Sequence, residues 1–457
     1  MGFYKERKLW NEKIETMSRD EMRALQLTRL KAQVSYNYNH SPFYKMKFEE
    51  AGAEPGDITS FESFARIPLM TKDEHRRAQE ESIEKYGDPY SLLACAPKEK
   101  IVRINSTSGT TGIPTLYTLT RHDVDIVNEM HARKYWRTGI RPGDVMIQAL
   151  SLSMFTGGLP LSQGIQHMGA CVVPVGVEGG TKRVLDFIKL TSPVAIIATP
   201  SFGQYLIEKT PELTGKAAKD LGLRWFFCAG EPGGGNPEVR KMLAQGFGAK
   251  VFDHTGGGHA FHGISCDEPP EQFSGMHFVS EDHCLLELVD PKTKKSMEIQ
   301  DGAIGEMVFT FLDWQGGPFM RYALGDMLKI STEPCQCGMP GMRFRIIGRA
   351  DDMLIIKGVN VYPEAIKTAI LKFSPKVTGI FRILLEKQGP VVKSPLRIKL
   401  EYSHGLEKNE LGALEEKMIA HFKEELRITP RFKWVPPETI PREMKKARLI
   451  EIESEEG

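Results

Sequence analysis

A stretch rich in glycine and hydroxyl side chains, NSTSGTTGIPT, spans positions 105–115. Glycines let the backbone approach a ligand closely, while hydroxyls and backbone N–H groups supply several donors to one compact anion. The Gly-Lys-Ser/Thr ending of a Walker motif does not follow. Because the β-like runs KIVRI and TLYTL flank the stretch, it is predicted to bind a polyphosphate between two strands; the alternative is a flexible linker.

A second polar cluster interrupts the apolar strand MRYALGDMLKI at Arg321, Gly325 and Asp326. A carboxylate at this turn could accept hydrogen bonds from a ribose diol, or it could cap the turn.

Two more clusters lie towards the C-terminus. GRADDM contains Arg349, Asp351 and Asp352 at the junction between the strand-rich region and the C-terminal unit. By itself it indicates a polar interdomain loop. IPREMKKAR carries Lys445 and Lys446, either of which could stabilise charge on a transferring phosphoryl group. A solvated basic tail is the alternative for the lysines.

The elements that must position these clusters follow from periodicity. Residues from about 20 to 50 predict helices broken at Ser41-Pro42. The apolar runs DVMIQAL, ACVVPVG, PVAIIATPS, RWFFCAGE and AKVFDHT then alternate with helical segments, which predicts βαβ units and a buried parallel sheet. Ligands are expected at the carboxyl ends of such strands. From about Gly275 the pattern favours antiparallel strands, and the last hundred residues predict a small α+β unit.

Composition excludes several protein classes. The chain has 457 residues, long enough for two or three domains, and Lys+Arg 60 against Asp+Glu 59 gives a net charge of +1. This balance does not suggest a general nucleic-acid-binding surface. A signal peptide and a membrane span are both unexpected, so a cytoplasmic protein is predicted. Seven scattered cysteines argue against a disulfide framework.

In this order the clusters resemble one family. The chain is similar, from about Ser41 to Arg448, to the phenylacetate-coenzyme A ligase branch of the acyl-adenylate-forming superfamily. The motifs that carry the resemblance are SPFYKMKFEEAG, IPLMTKDEHR, SGTTGIPT, ATPS, AGEP, GMHFVSEDHCLLELVDP, GEMVFTFL, RYALGD, CQCG and GRADDMLIIKGVNVYP. It implies an α/β adenylate-forming fold, with a large N-terminal domain at 1–347 that includes a β region and a small mobile α+β domain at 348–457. It also implies an enzyme that uses ATP and Mg²⁺ to make an acyl-adenylate and then exchanges AMP for coenzyme A.

The resemblance assigns roles residue by residue. The expected nucleotide-binding residues are Ser106, Thr107, Ser108, Gly109, Thr110, Thr111 and Gly112 around the phosphates, Gly230, Glu231 and Pro232 at the adenine, Asp253, His254 and Thr255 beyond the next strand, and Asp326 with Arg349 at the ribose. Asp351 resembles the hinge. Lys445 matches the adenylation lysine, although a one-residue slip would select Lys446.

One segment, VFDHTGGGHAFHGISC, departs from the family pattern Asp-x-Tyr-Gly-x-Thr-Glu. Alignment on Asp253 places Thr255 at the Tyr, Gly258 at the Thr and His259 at the Glu, so His259 is predicted to occupy a catalytic position. Loss of the carboxylate conflicts with ordinary magnesium binding. Either the acid is unusual or adenylation has weakened.

The same segment supplies thiol and imidazole groups. A structural Zn²⁺ is predicted to be held by Cys266, Cys335, Cys337 and either His259 or His262, because these ligands suit a tetrahedral zinc. The alternative is a set of reduced cysteines around a glycine turn.

The substrate is inferred only from the branch, as an aryl or arylacetic acid. Two rival functions stay open: an adenylate-forming enzyme with an acceptor other than coenzyme A, and a degenerate nucleotide-binding protein without turnover. The expected partners are the acid, ATP and coenzyme A, with no nucleic acid and no membrane, and assembly into a homodimer is left open.

Overall fold

The computed structural model describes residues 8–106, 114–257, 259–387, 389–442 and 449–453. Within them the helices are α1 (Glu12–Glu15), α2 (Arg19–His40), α3 (Pro42–Glu50), α4 (Phe61–Phe64), α5 (Lys72–Tyr86), α6 (Arg121–Arg137), α7 (Leu159–His167), α8 (Gly180–Thr191), α9 (Pro200–Thr214), α10 (Pro237–Phe247), α11 (Pro363–Leu371) and α12 (Leu411–Glu425).

The strands of the same residues are β1 (Met70–Thr71), β2 (Ile101–Ser106), β3 (Leu116–Thr120), β4 (Val145–Gln148), β5 (Cys171–Pro174), β6 (Ala195–Ala198), β7 (Trp225–Cys228), β8 (Lys250–Gly257), β9 (Phe261–Ser265), β10 (Met276–Phe278), β11 (Cys284–Val289), β12 (Ser296–Met297), β13 (Ile304–Phe311), β14 (Tyr322–Ser331), β15 (Arg343–Arg349), β16 (Leu354–Ile356), β17 (Val359–Val361), β18 (Val377–Leu385), β19 (Val391–Val392), β20 (Leu396–Tyr402), β21 (Pro430–Val435) and β22 (Ile450–Ile452).

The predicted break between the first long helices is confirmed. Helix α2 ends at His40, and the side chain of Ser41 accepts a hydrogen bond from the backbone N–H of Tyr44 in α3. Pro42 begins α3, a position where its missing N–H costs nothing and its fixed φ suits the helix.

A parallel half-sheet has the strand order β5-β4-β6-β7-β8. All four residues of β6 are buried, as expected for a strand covered by helices on both faces. Helices α7 to α10 connect or follow these strands, so the predicted βαβ alternation is confirmed. The carboxyl ends of β6, β7 and β8 therefore meet at one edge of the sheet.

The sheet becomes antiparallel at the β8–β9 hairpin and continues in the order β9-β10-β15-β14-β13-β11-β12. The predicted change near Gly275 occurs earlier, since β9 already runs antiparallel to β8 from Phe261. Every residue of β9 is buried, which removes the polar alternation that would have marked the strand in the sequence.

The C-terminal unit contains a four-stranded sheet ordered β21-β20-β18-β22 and a three-stranded sheet ordered β17-β16-β19. Helices α11 and α12 pack on it through a separate apolar core that includes Ile366, Met418 and Phe422. The expected small α+β unit is confirmed as an architecture. The predicted boundary between 347 and 348 falls inside β15, which continues to Arg349.

Among the described residues, no helix combines the length and the apolar character that crossing a bilayer requires.

Candidate active site and metal centre

The predicted phosphate loop joins the two strands of a hairpin. Ser106 ends β2, pairs with Leu116 of β3, and is buried. Thr107, Ser108, Gly109, Thr110, Thr111 and Gly112 lie outside the described residues, as does Lys445. The base of the hairpin is held from α5, where the Gln79 amide donates to the Pro114 carbonyl (3.0 Å) and accepts from the Leu116 N–H (2.6 Å). Sequence reasoning did not single out Gln79, because the sequence of α5 is mostly polar and does not reveal which of its polar side chains is buried.

The predicted adenine segment follows β7. Gly230 has φ +83°, a conformation that favours glycine, and it turns the chain away from the strand. The Glu231 carboxylate accepts a hydrogen bond from the backbone N–H of Ser201, 2.7 Å away, at the start of α9. The segment is thereby fixed against the neighbouring helix at the carboxyl edge of the sheet.

Strand β8 directs its predicted ligands to opposite faces. Asp253 lies under the chain at 234–235, and a Cβ built on Gly234 would lie 2.3 Å from Asp253 Oδ1. Burial raises the pKa of Asp253 to about 6, against the opposing effect of the cations Arg240 and Arg345. This carboxyl group therefore supports the loop that carries the adenine segment.

His254 faces the other side of β8. Its Nε2 lies 3.2 Å from the hydroxyl of Tyr135 in α6, and the side chain is buried. Thr255 turns its backbone carbonyl towards Lys134 of the same helix, at 3.2 Å from Nζ. Of the three residues predicted to bind nucleotide, Asp253 therefore lies under the loop at 234–235, whereas His254 and Thr255 contact α6.

The ribose and hinge candidates form one network. Asp326 in β14 pairs in register with Arg349 in β15, and the guanidinium Nη1 donates to Asp326 Oδ1 at 3.1 Å. The same guanidinium donates to both oxygens of Asp351, at 2.8 and 3.0 Å. Burial alone would lower the pKa of Arg349, but these two carboxylates raise it overall. Gly325 has φ +91°, and a Cβ there would lie 3.1 Å from Arg349 Nη2.

An open cavity of about 670 Å³ adjoins this network. Its lining residues come mainly from the segment before α5 and the first turns of α5, from β14, and from the end of β15 and the residues after it; they include Lys72, Arg349 and Asp351. Burial lowers the pKa of Lys72, and the nearby cations Arg76 and Arg349 lower it further. The hinge candidate therefore borders open space on one side.

Four potential metal ligands from three chain segments meet beyond the end of β9. They are Cys266 after β9, His277 in β10, and Cys335 and Cys337 between β14 and β15; their ligand atoms all lie within 4.8 Å of one another. The Sγ atoms of Cys266 and Cys335 are 3.6 Å apart, and Cys337 Sγ is 3.3 Å from His277 Nε2. The hydrogen bond from Cys266, together with His277, lowers the pKa of Cys337 to about 3, although burial opposes the shift.

The fourth member of this group is His277, whereas the sequence pointed to His259 or His262. Strand geometry explains why His277, and not His262, lies beside Cys266. A strand rises about 3.3 Å per residue, so His262 at the start of β9 is roughly 13 Å from Cys266 beyond its end. Strand β10 runs back beside β9 and pairs His277 with Ile264, close to Cys266.

His259 also differs from the carboxylate that the family pattern leads one to expect. It is buried with φ +75°, and its Nδ1 lies 3.5 Å from the Thr156 hydroxyl. Burial lowers its pKa to about 3, so the imidazole is neutral at physiological pH. A neutral imidazole does not provide the hard anionic oxygen that Mg²⁺ prefers.

Comparisons with known proteins cover nearly the whole chain. A family model described as AMP-binding enzyme matches residues 47–310, and one described as AMP-binding enzyme C-terminal domain matches residues 358–451. The chain is 33% identical over 448 residues to a phenylacetate-coenzyme A ligase of Thermus thermophilus, covering 95% of this chain and 97% of that one. The chain belongs to the phenylacetate-coenzyme A ligase family.

Membership of this family makes the chain an enzyme of the AMP-forming acid–coenzyme A ligase class. The phenylacetate-coenzyme A ligase of Escherichia coli K12 is 32% identical over 390 residues, 85% of each chain.

Solved structures of a 2-hydroxyisobutyryl-CoA ligase are similar to this chain to different degrees in different states. In the postadenylation state with 2-HIB-AMP, that enzyme matches with TM-score 0.88 at 28% identity, covering 98% of this chain and 93% of its own. The same enzyme in the thioesterification state, with 2-HIB-AMP and CoA, matches with TM-score 0.69 over the same coverage. The chain therefore superposes better on the postadenylation state of that enzyme than on its thioesterification state.

Proposed function

We propose that this family member converts a carboxylic acid into its coenzyme A thioester, through an acyl-adenylate, with release of pyrophosphate and AMP. The observation that carries the proposal is the match, over almost its full length, to phenylacetate-coenzyme A ligases. Attack of a carboxylate on the α-phosphate brings anions together, so the site must supply donors and cations.

The chain's own residues divide this work. The hydroxyls and N–H groups from Ser106 to Gly112 would hold the β- and γ-phosphates, while the segment from Gly230 to Pro232 would contact the adenine. Asp326, held by Arg349, would accept hydrogen bonds from the ribose diol. Lys445 would stabilise charge at the α-phosphate in the first half-reaction. The reaction would use Mg²⁺ as the counter-ion of ATP, and the neutral imidazole of His259 does not fit the position of a carboxylate ligand for it.

The substrate class is an aryl or arylacetic acid. Its support is the similarity to ligases named for phenylacetate in three curated bacterial relatives.

The experiment that tests the function is acid-dependent exchange of labelled pyrophosphate into ATP, with Mg²⁺ present and coenzyme A absent. We expect exchange with one or more arylacetic or aryl acids, followed by AMP release that depends on coenzyme A. Exchange followed by AMP release with an amine or carrier protein instead of coenzyme A would establish a different acceptor. Protein that binds ATP but supports no exchange with any acid would contradict the proposal.

The two domains, 1–347 and 348–457, are proposed to change their relative placement between the half-reactions around Asp351. The fit to the two states of one relative supports this, since the TM-score is 0.88 for one state and 0.69 for the other. Several contacts between the units are polar, as in the 2.8 Å bond from Asn236 to Thr368 and the 3.1 Å pair of Lys372 with Glu238. Leu371 of α11 adds an apolar contact with the large domain. Polar interfaces are typical of domains that separate during function.

Cys266, His277, Cys335 and Cys337 are proposed to hold a structural Zn²⁺. Three thiolates and one imidazole form a common tetrahedral set, and Zn–S bonds of about 2.3 Å put two sulfurs about 3.8 Å apart, close to the separation seen here. All four ligands belong to the protein, so no position is left for substrate. The ion would join β9, β10 and the β14–β15 loop.

Protein purified without a histidine tag is expected to contain about one zinc per chain, and Cys335→Ser is expected to lose it and to melt at a lower temperature. Cys171→Ser, at an exposed cysteine outside the cluster, should retain both the zinc and the melting temperature. A content below about 0.2 zinc per chain would favour four metal-free side chains. If Cys335→Ser does not fold, release of zinc by a chelator, followed by thiol counting on the native protein, provides the same test.

Cytoplasmic location and homodimer formation stay predictions from the sequence.

A further inference from the structure

One ammonium and four imidazoles are buried together between α6, β8 and β9. They are His131 and Lys134 in α6, His254 in β8, His262 in β9, and His259 in the turn between these strands. This buried base cluster takes no part in the reaction as described above.

Several nitrogens of the cluster have no hydrogen-bond partner among the described residues. They are both ring nitrogens of His131 and the Nδ1 atoms of His254 and His262. The rings of His131 and His262 meet edge to face with centroids 4.9 Å apart, so their free nitrogens share one region. A buried nitrogen without a partner costs free energy until a ligand or water bonds to it.

The cluster also has a cation without a balancing charge. Lys134 is fully buried, and its Nζ donates to the Thr255 carbonyl at 3.2 Å. Within the part of the chain that the structure describes, no carboxylate forms an ion pair with it, and burial lowers its pKa to about 7. An ammonium in such surroundings favours a partner that brings an oxygen acceptor.

The cluster lies directly behind the segment that departs from the family pattern. Lys134 contacts Thr255, and a Cβ built on Gly256 would lie 3.2 Å from both His262 Cε1 and Thr156 Cγ2. Glycine at 256 therefore leaves the backbone close to the imidazole. Ligands of a parallel sheet bind at the carboxyl ends of its strands, and the cluster lies beside the carboxyl end of β8, so it would face a ligand bound there.

We infer that the acid substrate carries a second oxygen substituent, a hydroxyl, keto or carboxylate oxygen, which Lys134 and His131 recognise. The inference rests on the proposed function and deepens it. A substrate oxygen would accept hydrogen bonds from the ammonium of Lys134 and from the N–H of the neutral His131 ring, and a hydroxyl could also donate to a bare ring nitrogen. A wholly apolar acyl group would leave these groups unsatisfied. Sites built to bond a substrate oxygen discriminate strongly against the analogue that lacks it.

The test compares matched acids in pyrophosphate exchange: phenylacetate against hydroxyphenylacetates and carboxyphenylacetates, and isobutyrate against 2-hydroxyisobutyrate and methylmalonate. We expect at least one oxygen-bearing acid to exceed its parent by about 100-fold in kcat/KM. A preference for carboxylate over hydroxyl would identify an anionic group. Equal or better use of the apolar parents throughout would overturn the inference.

Variants connect the preference to the cluster. Lys134→Met and His131→Phe are expected to reduce the preference at least tenfold while sparing the apolar parent. Lys182→Met, at a lysine whose side chain is 79% exposed, should change neither rate. Equal losses for both acids in a folded Lys134→Met protein would indicate a structural lysine and contradict the inference.

A binding measurement separates this inference from the proposed function. Non-hydrolysable acyl-sulfamoyl adenosines, with and without the second oxygen, are titrated into the wild type and Lys134→Met. Tighter binding of the oxygen-bearing analogue, lost in the variant, supports the cluster's role even where no acid supports exchange. Equal binding of the two analogues by the wild type rejects it even where exchange occurs.

Discussion

Substitution of Lys445 with alanine is expected to slow acid-dependent pyrophosphate exchange by about 100- to 1,000-fold, the size of effect seen when one preorganised charge-stabilising donor is removed. The reaction concentrates negative charge on the α-phosphate while a carboxylate approaches, and an alanine methyl group cannot offset that repulsion. Lys445 lies outside the described residues, so its role rests on the similarity of EMKKAR to the family motif. Initial exchange rates at saturating ATP and acid measure the effect.

Two further variants, Lys446→Ala and Asp351→Pro, test whether the effect is specific to Lys445 and to the first half-reaction. Lys446→Ala should keep most of the exchange, whereas a loss as large as that of Lys445→Ala, or larger, would assign the role to the neighbouring lysine. Asp351→Pro should show the reverse pattern, with exchange retained and coenzyme A-dependent AMP release slowed, because proline restricts the backbone at the proposed pivot. Slowing of both half-reactions by Asp351→Pro would argue that Asp351 acts through Arg349 in the nucleotide site instead.

Substitution of Arg133 with methionine is expected to lower the free energy of unfolding by about 3–5 kcal/mol, the cost of breaking a buried ion pair on one side. Its guanidinium makes two bonds to the Asp282 carboxylate, at 2.7 and 3.1 Å, and both side chains are 2% exposed. Burial tends to raise the pKa of Asp282, but Arg133 and His283 lower it overall, so the pair is charged at neutral pH. Urea denaturation followed by circular dichroism measures the change.

The double variant Arg133→Met/Asp282→Leu should recover part of the loss, because it also removes a buried carboxylate that Arg133→Met leaves with only the longer 3.7 Å pair to the cation Arg29. Arg183→Met, at an exposed position of α8, should change the free energy of unfolding by less than about 0.5 kcal/mol. An Arg133→Met protein as stable as this control would show that the buried pair contributes nothing. The pair also anchors α6 beside Lys134, so its loss should weaken the acid preference as well.

Local patterns in the sequence predicted much of the fold. Ser41-Pro42 marks the boundary of two helices because the serine hydroxyl caps the N-terminus of the next helix and the proline fits its first position. Both effects act within a few residues of the motif. The apolar runs of β4 to β8 identified the parallel sheet for a similar reason, since a strand buried on both faces must be apolar throughout.

Features that depend on distant contacts were not predicted. His277 becomes the companion of Cys266 only through the pairing of β9 with β10, and nothing in the spacing of histidines and cysteines reveals that register. The buried base cluster was missed because Lys134 occupies what looks like the polar side of an amphipathic helix. From the sequence alone, Lys134 and His131 are expected to lie on a solvated helix face. Only the packing of β8 and β9 against α6 buries them. The sequence signal was the unusual number of histidines from His254 to His262.

The hairpin of β8 and β9 bears on how this chain could acquire new substrates. The ladder pairs His254 with Ile264 and Gly256 with His262, and β7 and β10 flank the two strands. The ladder consists of backbone hydrogen bonds, so a change of side chain within it, as at Thr255, leaves those bonds intact. The same backbone ladder can therefore carry Thr255 where the family pattern has Tyr. Selection for a new acid can therefore act on this hairpin while the ribose candidates Asp326 and Arg349, on β14 and β15, remain the same.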